Sequence, residues 1–124
     1  MIAFDTDLLV AYFQGAKGSD VDRLDAALST GDLTMPPVVL TEILSDPSAA
    51  KTLKDALEKI TLLRIVEGYW ERAGLARAEL RRKGLKAKTA DALIAQSCLD
   101  HDVALITRDA DFRHFAKHCG LKLA

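Results

Sequence analysis

Residues 2–13 read Ile2-Ala3-Phe4-Asp5-Thr6-Asp7-Leu8-Leu9-Val10-Ala11-Tyr12-Phe13, and this stretch decides the fold. Ile2-Ala3-Phe4 is a short, continuous apolar run of the kind found in buried strands. Asp5-Thr6-Asp7 stops it. Leu8, Leu9, Tyr12 and Phe13 then recur at helical spacing until Gly15 breaks the pattern. A buried strand feeding directly into an amphipathic helix opens an α/β unit.

The alternation continues along the chain. Ser19-Asp20 begins a second helix with Val21, Leu24 and Leu28 as its apolar stripe, and Gly31 closes it. Leu33-Thr34-Met35 is a second strand. Pro36-Pro37 starts a helix, since proline fits the first helical turn, and Val38 to Leu44 carries it on. Asp46-Pro47-Ser48 turns into a helix over 49–59, and Thr61 to Val66 reads as a third strand. A longer helix or helix pair passes through Trp70, Leu75 and Leu80 to Gly84. Thr89 caps another helix through Leu99, and Val103 to Ile106 is a fourth strand. Ala110 to His118 forms a final helix, and Leu121 to Leu123 is a candidate fifth strand. No repeat, low-complexity tract or linker interrupts the pattern. The expectation is one domain over residues 1–124, with a mostly parallel sheet of four or five strands covered by helices on both faces.

A chain of 124 residues and 13.5 kDa suffices for one good core. Its 49% hydrophobic and 28% charged content excludes disordered and fibrous classes. A net charge of −1 supplies no global attraction to nucleic acid or membrane. The charge is uneven, however. Arg72, Arg77, Arg81, Arg82, Lys83, Lys86 and Lys88 face only Glu79 across that segment, while the first sixty residues lean acidic. The start carries no basic, then apolar, leader, and no stretch approaches the roughly 18 apolar residues of a spanning helix. Cys98 and Cys119 form no disulfide framework and read as reduced thiols. A cytoplasmic protein without membrane association is expected.

Four acids stand where apolar residues are due. Asp5 directly follows the first strand, and Asp109 follows the fourth shortly after, so both lie at the carboxyl edge where such sheets bind ligands. At about 100° per residue from Val38, Glu42 falls near 40°, inside the arc bounded by Val38 and Val39. A boundary glutamate reaching solvent would account for it equally. Asp91 precedes Ile94, Ala95 and Cys98 at i+3, i+4 and i+7, placing it on an inward stripe. Favourable interaction with the helix dipole explains an acid in the first turn but not on the buried face. Asp7 can cap the helix at Leu8, which leaves Asp5 over. Either Asp109 or Asp111 can cap the last helix, freeing the other.

Burying a carboxylate costs several kcal/mol without a partner, and no basic residue occupies a matching inward position. The missing partner is then a cation. Mg²⁺ and Mn²⁺ prefer oxygen ligands, and one or two such ions can activate water while neutralising a phosphodiester. Zinc fits poorly: His114 and His118 are an i, i+4 pair, but the HExxH glutamate is missing, and His101 reads as surface. No glycine-rich phosphate loop or nucleophile elbow is present. Arg81, Arg82, Lys83, Lys86 and Lys88 are candidates to track a nucleic-acid backbone, although a solvated helix face explains them as well. Tyr69 and Trp70 can stack on bases or belong to the core.

Phe4-Asp5-Thr6-Asp7-Leu8-Leu9, Val39-Leu40-Thr41-Glu42-Ile43-Leu44, Ala90-Asp91-Ala92-Leu93-Ile94-Ala95 and Thr107-Arg108-Asp109-Ala110-Asp111-Phe112 together carry a resemblance spanning the chain. In order and spacing they resemble the PIN-domain nucleases, most closely the VapC-type toxins of bacterial toxin–antitoxin pairs. The resemblance implies a three-layer α/β/α sandwich and Mg²⁺- or Mn²⁺-dependent endoribonuclease activity. It matches Asp5 and Asp91 to the principal metal-binding aspartates, and Glu42 and Asp109 to the other two acids of a quartet. Thr107 matches a hydroxyl residue that holds the acids or a water. Asp7 departs from the asparagine common in relatives, and Asp111 supplies an extra acid. A homodimer, a small cognate antitoxin and an RNA substrate are also implied.

Two other readings fit parts of the pattern. In a haloacid-dehalogenase-like phosphatase Asp5 would be the nucleophile, with Lys88 and Asp109 as later partners, but Gly15 to Leu33 would have to form a flap hairpin. A non-catalytic PIN-like module would bind RNA or protein without cutting. A receiver domain needs a phosphoacceptor aspartate after the third strand, and Val66-Glu67-Gly68 offers none.

Overall fold

The computed structural model describes residues 1–124. Its strands are β1 (Ile2–Phe4), β2 (Leu33–Met35), β3 (Thr61–Leu62) and β4 (Ala104–Ile106). Helices α1 (Thr6–Phe13) and α2 (Ser19–Thr30) link β1 to β2, while α3 (Pro37–Leu44) and α4 (Lys51–Leu57) link β2 to β3. Helices α5 (Tyr69–Arg82) and α6 (Thr89–His101) link β3 to β4, and α7 (Phe112–Cys119) follows. Every connection is long and helical, as parallel pairing requires. The sheet is wholly parallel, in the order β3-β2-β1-β4, and flanked by helices as an α/β/α sandwich.

The central strand β1 pairs Ile2 with Leu33 on one side and with Ala104 on the other. Its Ala3 and Phe4 are fully buried, as is Leu105 of β4, and Ile106 nearly so. Leu8, Leu9 and Leu24 join this core from the helices that follow β1, and Ile94, Cys98, Phe112 and Phe115 join it from α6 and α7. Burial pushes the Cys98 thiol up to about 12; Cys98 and Cys119 are both free.

Several elements differ from the sequence reading. β3 covers only Thr61–Leu62 rather than extending to Val66. Its partner β2 ends at Met35, and Pro36 and Pro37 have no N–H to continue the ladder. Ile65 and Val66 consequently lie exposed. The candidate fifth strand reduces to one parallel bridge, Leu105 to Leu123. α5 is a single helix that leaves Trp70 61% and Leu75 69% exposed, so neither belongs to the core. Tyr69 does, donating its hydroxyl to the Leu93 carbonyl at 2.8 Å. Thr89 is the first residue of α6, with Lys88 at the cap position and no side-chain cap. His101 is more than surface: its Nε2 lies 2.8 Å from the Arg64 carbonyl, tying the end of α6 to the chain after β3. Gly15 to Leu33 holds α2 and no flap hairpin. No helix is long and apolar enough to cross a membrane.

Core position and exposure separate two aromatic truncations. Phe4→Ala should cost about 3–5 kcal/mol in urea denaturation, whereas Trp70→Ala should stay within about 0.5 kcal/mol.

Candidate active site

The chain leaves β1 toward β2 and β3 on one side and returns to β4 on the other. Between β1 and β4 the helical connections therefore diverge, opening a crevice beyond the carboxyl ends of the strands. Asp5 is the first residue after β1, and Thr107 the first after β4. The topology brings together groups separated by about a hundred positions.

Asp5 is the N-cap of α1, its Oδ1 accepting from the Leu8 N–H at 3.2 Å. Its Oδ2 accepts from the Thr107 hydroxyl at 2.6 Å. The cap thus falls to Asp5 and not Asp7, which is exposed in the first turn. Each carboxylate oxygen keeps a further lone pair, so capping does not remove Asp5 from the crevice. Thr107 in turn accepts from the Asp109 N–H at 3.0 Å, and Asp109 Oδ1 accepts from the Asp111 N–H at 2.9 Å. Asp111 occupies the cap position of α7 without a side-chain cap bond, so neither acid performs the capping role expected of one of them. Arg108, between Thr107 and Asp109, turns away and holds Asp20 of α2 through two bonds of 2.8 and 2.9 Å.

Asp91 stands in the first turn of α6 and is only 9% exposed. Its Oδ2 is buried with no hydrogen-bond partner. Oxygens from Asp91, Asp109 and Asp111 lie within 4.8 Å of one another, which draws Asp111 closer to the centre than its supporting role suggested. Glu42 on α3 is exposed, not inside the buried arc, where Val39 and Ile43 lie. The Thr6 hydroxyl donates to Glu42 Oε1 at 2.7 Å. Thr6 was not singled out by sequence; a hydroxyl between Asp5 and Asp7 was the available signal.

Asp5, Thr6, Asp7, Glu42, Asp91, Ile94 and Asp109 line a cleft of about 40 Å³. At about 10–15 Å³ for each water, that space suits an ion with a few waters. No lysine or arginine lines it. Burial pushes Asp5 up from 3.8 to about 6, against the opposing bonds from Thr107 and Leu8. Burial also pushes Asp91 from 3.8 to about 6, with the Asp109 charge as the next cause. A partnerless buried oxygen among acids, with no sulfur or imidazole beside it, fits a hard divalent cation. His118 lies elsewhere, on the α5–α6 side of α7.

The basic candidates divide. Arg82 and Lys83 pair with Glu79 at 2.6 and 3.3 Å. Lys86 lies 3.6 Å from Asp111, and the Lys88 charge acts on Asp91. Arg81 is exposed and makes no ion pair. Arg72 and Arg77 serve structure, holding Asp100 at 2.8 Å and the Ala87 carbonyl at 2.7 Å.

A family model described as the PIN domain matches residues 2–118. The chain belongs to the PIN-domain family. No curated protein matches it in sequence. Among solved structures, this PIN domain is similar to a chain of VapBC2 from Rickettsia felis, solved with a promoter DNA fragment. The TM-score is 0.71 at 22% identity, covering 100% of this chain and 98% of that one. VapBC-1 from nontypeable Haemophilus influenzae gives 0.73 at 17% identity, with 100% and 97% covered. FitAcB from Neisseria gonorrhoeae gives 0.70 at 17%, with 99% and 96% covered. At these identities the likeness establishes a shared fold.

The raised acids give a pH signature to the metal-free protein. Between about 3.8 and 6 the folded state binds more protons at Asp5 and Asp91 than the unfolded chain does, so stability falls as pH rises. Urea midpoints in EDTA should fall from pH 4 to pH 7, and Asp91→Asn should flatten the decline.

Proposed function

We propose that this PIN domain is a metal-dependent endoribonuclease and the toxin of a toxin–antitoxin pair. The observation that carries the reading is Asp91 Oδ2, buried without a partner in a cleft of oxygen donors. Asp5 and Asp91 would hold Mg²⁺ or Mn²⁺, with Glu42 and Asp109 completing the quartet. When bound, the ion neutralises phosphate charge and acidifies a bound water.

The chain supplies orientation and proton handling. Thr107 fixes the Asp5 carboxylate, and the Asp109 and Asp111 backbone bonds fix the loop carrying two further acids. Thr6 engages Glu42 Oε1, leaving Oε2 free to orient the attacking water and accept its proton. Asp111 and Asp7 add negative charge at the rim. Lys86 and Lys88 stand where a phosphate approaching the acids would pass, and Arg81, Arg82 and Lys83 continue the basic line along the end of α5. The same reading carries a cytoplasmic location with it.

The toxin reading is supported by the fold shared with chains of VapBC2, of VapBC-1 and of a toxin–antitoxin complex from Klebsiella pneumoniae. A small cognate antitoxin and a homodimer belong to the same proposal.

The purified protein should cleave RNA in Mn²⁺ or Mg²⁺ and stop in EDTA. Asp91→Asn should lower the rate at least about a hundredfold, and full activity of that variant would falsify its role. Arg81→Ala should weaken RNA binding uniformly and reduce the salt slope by about one. The product of an adjacent small gene should suppress cleavage; unchanged activity in its presence removes the antitoxin from the account.

A further inference from the structure

Beside the acidic cleft lies a second, larger hollow of about 300 Å³, and Thr6 and Glu42 line both. Its floor is apolar, made by Val10 and Phe13 of α1, Ile43 of α3 and Leu53 of α4. Its rim is polar, made by Gln14 at the end of α1 and by Asp46 and Ser48 in the turn after α3. Ligand sites start at about this volume and combine an apolar body with a few placed polar groups.

The rim has a definite hydrogen-bonding sense. The Ser48 N–H and hydroxyl both donate to Asp46 Oδ1, at 2.9 and 2.7 Å. Those bonds hold the Asp46 carboxyl below the ordinary carboxylate range and keep it charged at neutral pH. Asp46 Oδ2 and the Gln14 side chain make no hydrogen bond. With the Ser48 donors committed and the Asp46 and Glu42 carboxylates in place, acceptors outnumber donors on the rim, where the Gln14 amide is the free side-chain N–H donor. A phosphate is repelled there, and a flat neutral group carrying N–H donors is favoured.

We propose that this hollow receives the unpaired nucleobase next to the scissile phosphate and selects bases bearing an exocyclic amino group over uracil. The inference rests on the nuclease reading, because a strand whose phosphate sits at the acids has an adjacent base within reach of the shared wall. Single-stranded RNA is read in this manner, with the base against an aromatic face and its edge hydrogen-bonded. Phe13 supplies the face, and Asp46 accepts from the amino group as a carboxylate accepts from cytosine N4. Uracil has the same outline as cytosine but would turn a carbonyl oxygen toward the acceptors.

Cytidine and uridine nucleosides test the pocket without any cleavage. Titrated into the ¹⁵N-labelled chain, cytidine should shift the amide signals of Phe13, Asp46 and Leu53, with an affinity on the order of five- to tenfold above uridine. Asp46→Asn should shrink that ratio below about twofold, with an unchanged amide spectrum elsewhere showing that the variant folds. In Mn²⁺, oligoribonucleotides differing only at the flanking base should show the same preference in kcat/KM. Pocket shifts without RNA cleavage would uphold the hollow and remove the nuclease reading. Absence of pocket shifts, or equal response to both nucleosides, overturns the proposal, as does cleavage whose base preference Asp46→Asn leaves intact.

Discussion

The 2.6 Å bond from the Thr107 hydroxyl to Asp5 joins the ends of two neighbouring parallel strands, and the crevice is organised around it. Parallel strands need no such link for their ladder. What the link fixes is the direction in which the chain leaves each strand. Asp5 also caps α1, so one carboxylate sets the start of the first helix and the path of the loop after β4. That loop carries Asp109 and Asp111 into position through two consecutive side-chain-to-backbone bonds. Local turn chemistry and a long-range contact therefore act on the same few residues.

Such an arrangement opposes the folding that creates it. Burying Asp5 and Asp91 raises both carboxyls, and neither has a basic side chain bonded to it. The basic residues near the crevice reach its edge only: Lys86 meets Asp111, and Arg108 turns outward to Asp20. No lysine or arginine occupies the centre to relieve that charge. Local conflicts of this kind, in a protein otherwise consistent from propensity to packing, mark sites kept for a function. The core of Phe4, Leu8, Leu9, Leu105, Phe112 and Phe115 supplies the stability that tolerates them.

Much of this was legible in the chain because it is local. Ile2-Ala3-Phe4 followed by helical spacing specifies a buried strand and its crossover, and repetition of the pattern specifies the parallel sheet. Asp91 among Ile94, Ala95 and Cys98 was equally readable, since one helix fixes the face of each residue. Legibility fails where a neighbour decides. β3 stops at Leu62 because Pro36 and Pro37 withdraw donors from the adjacent strand, which the run Thr61 to Val66 cannot reveal. Trp70 and Leu75 resemble core on spacing but face outward, because Tyr69 and Ala73 already occupy the inner side of α5. The wheel position of Glu42 sets it too deep, because an open hollow beside α3 leaves its side chain exposed. Asp5 and Asp7 present the same capping chemistry on paper, and the fold separates them: Asp5 accepts from both the Leu8 N–H and the Thr107 hydroxyl, while Asp7 is exposed.

Two threonines show how the proposed chemistry depends on the fold more than on the acids themselves. Thr6 and Thr107 each donate to one carboxylate oxygen, on Glu42 and Asp5 respectively. A hydroxyl in that role orients an acid without neutralising it, whereas a lysine would orient and neutralise together. The two hydroxyls thereby restrict these carboxylates without adding positive charge to the cleft, a setting that suits a small, highly charged cation better than a flexible organic one. The same choice explains the separation of charge along the surface. Acids converge at the switch point, and Lys86 and Lys88, in the turn before α6, stand beside them. In the proposed nuclease, a polyanion would meet positive charge first and would reach the acids only once a metal had offset their charge. Positive and negative charge are thus placed on different residues, and a net charge of −1 conceals both.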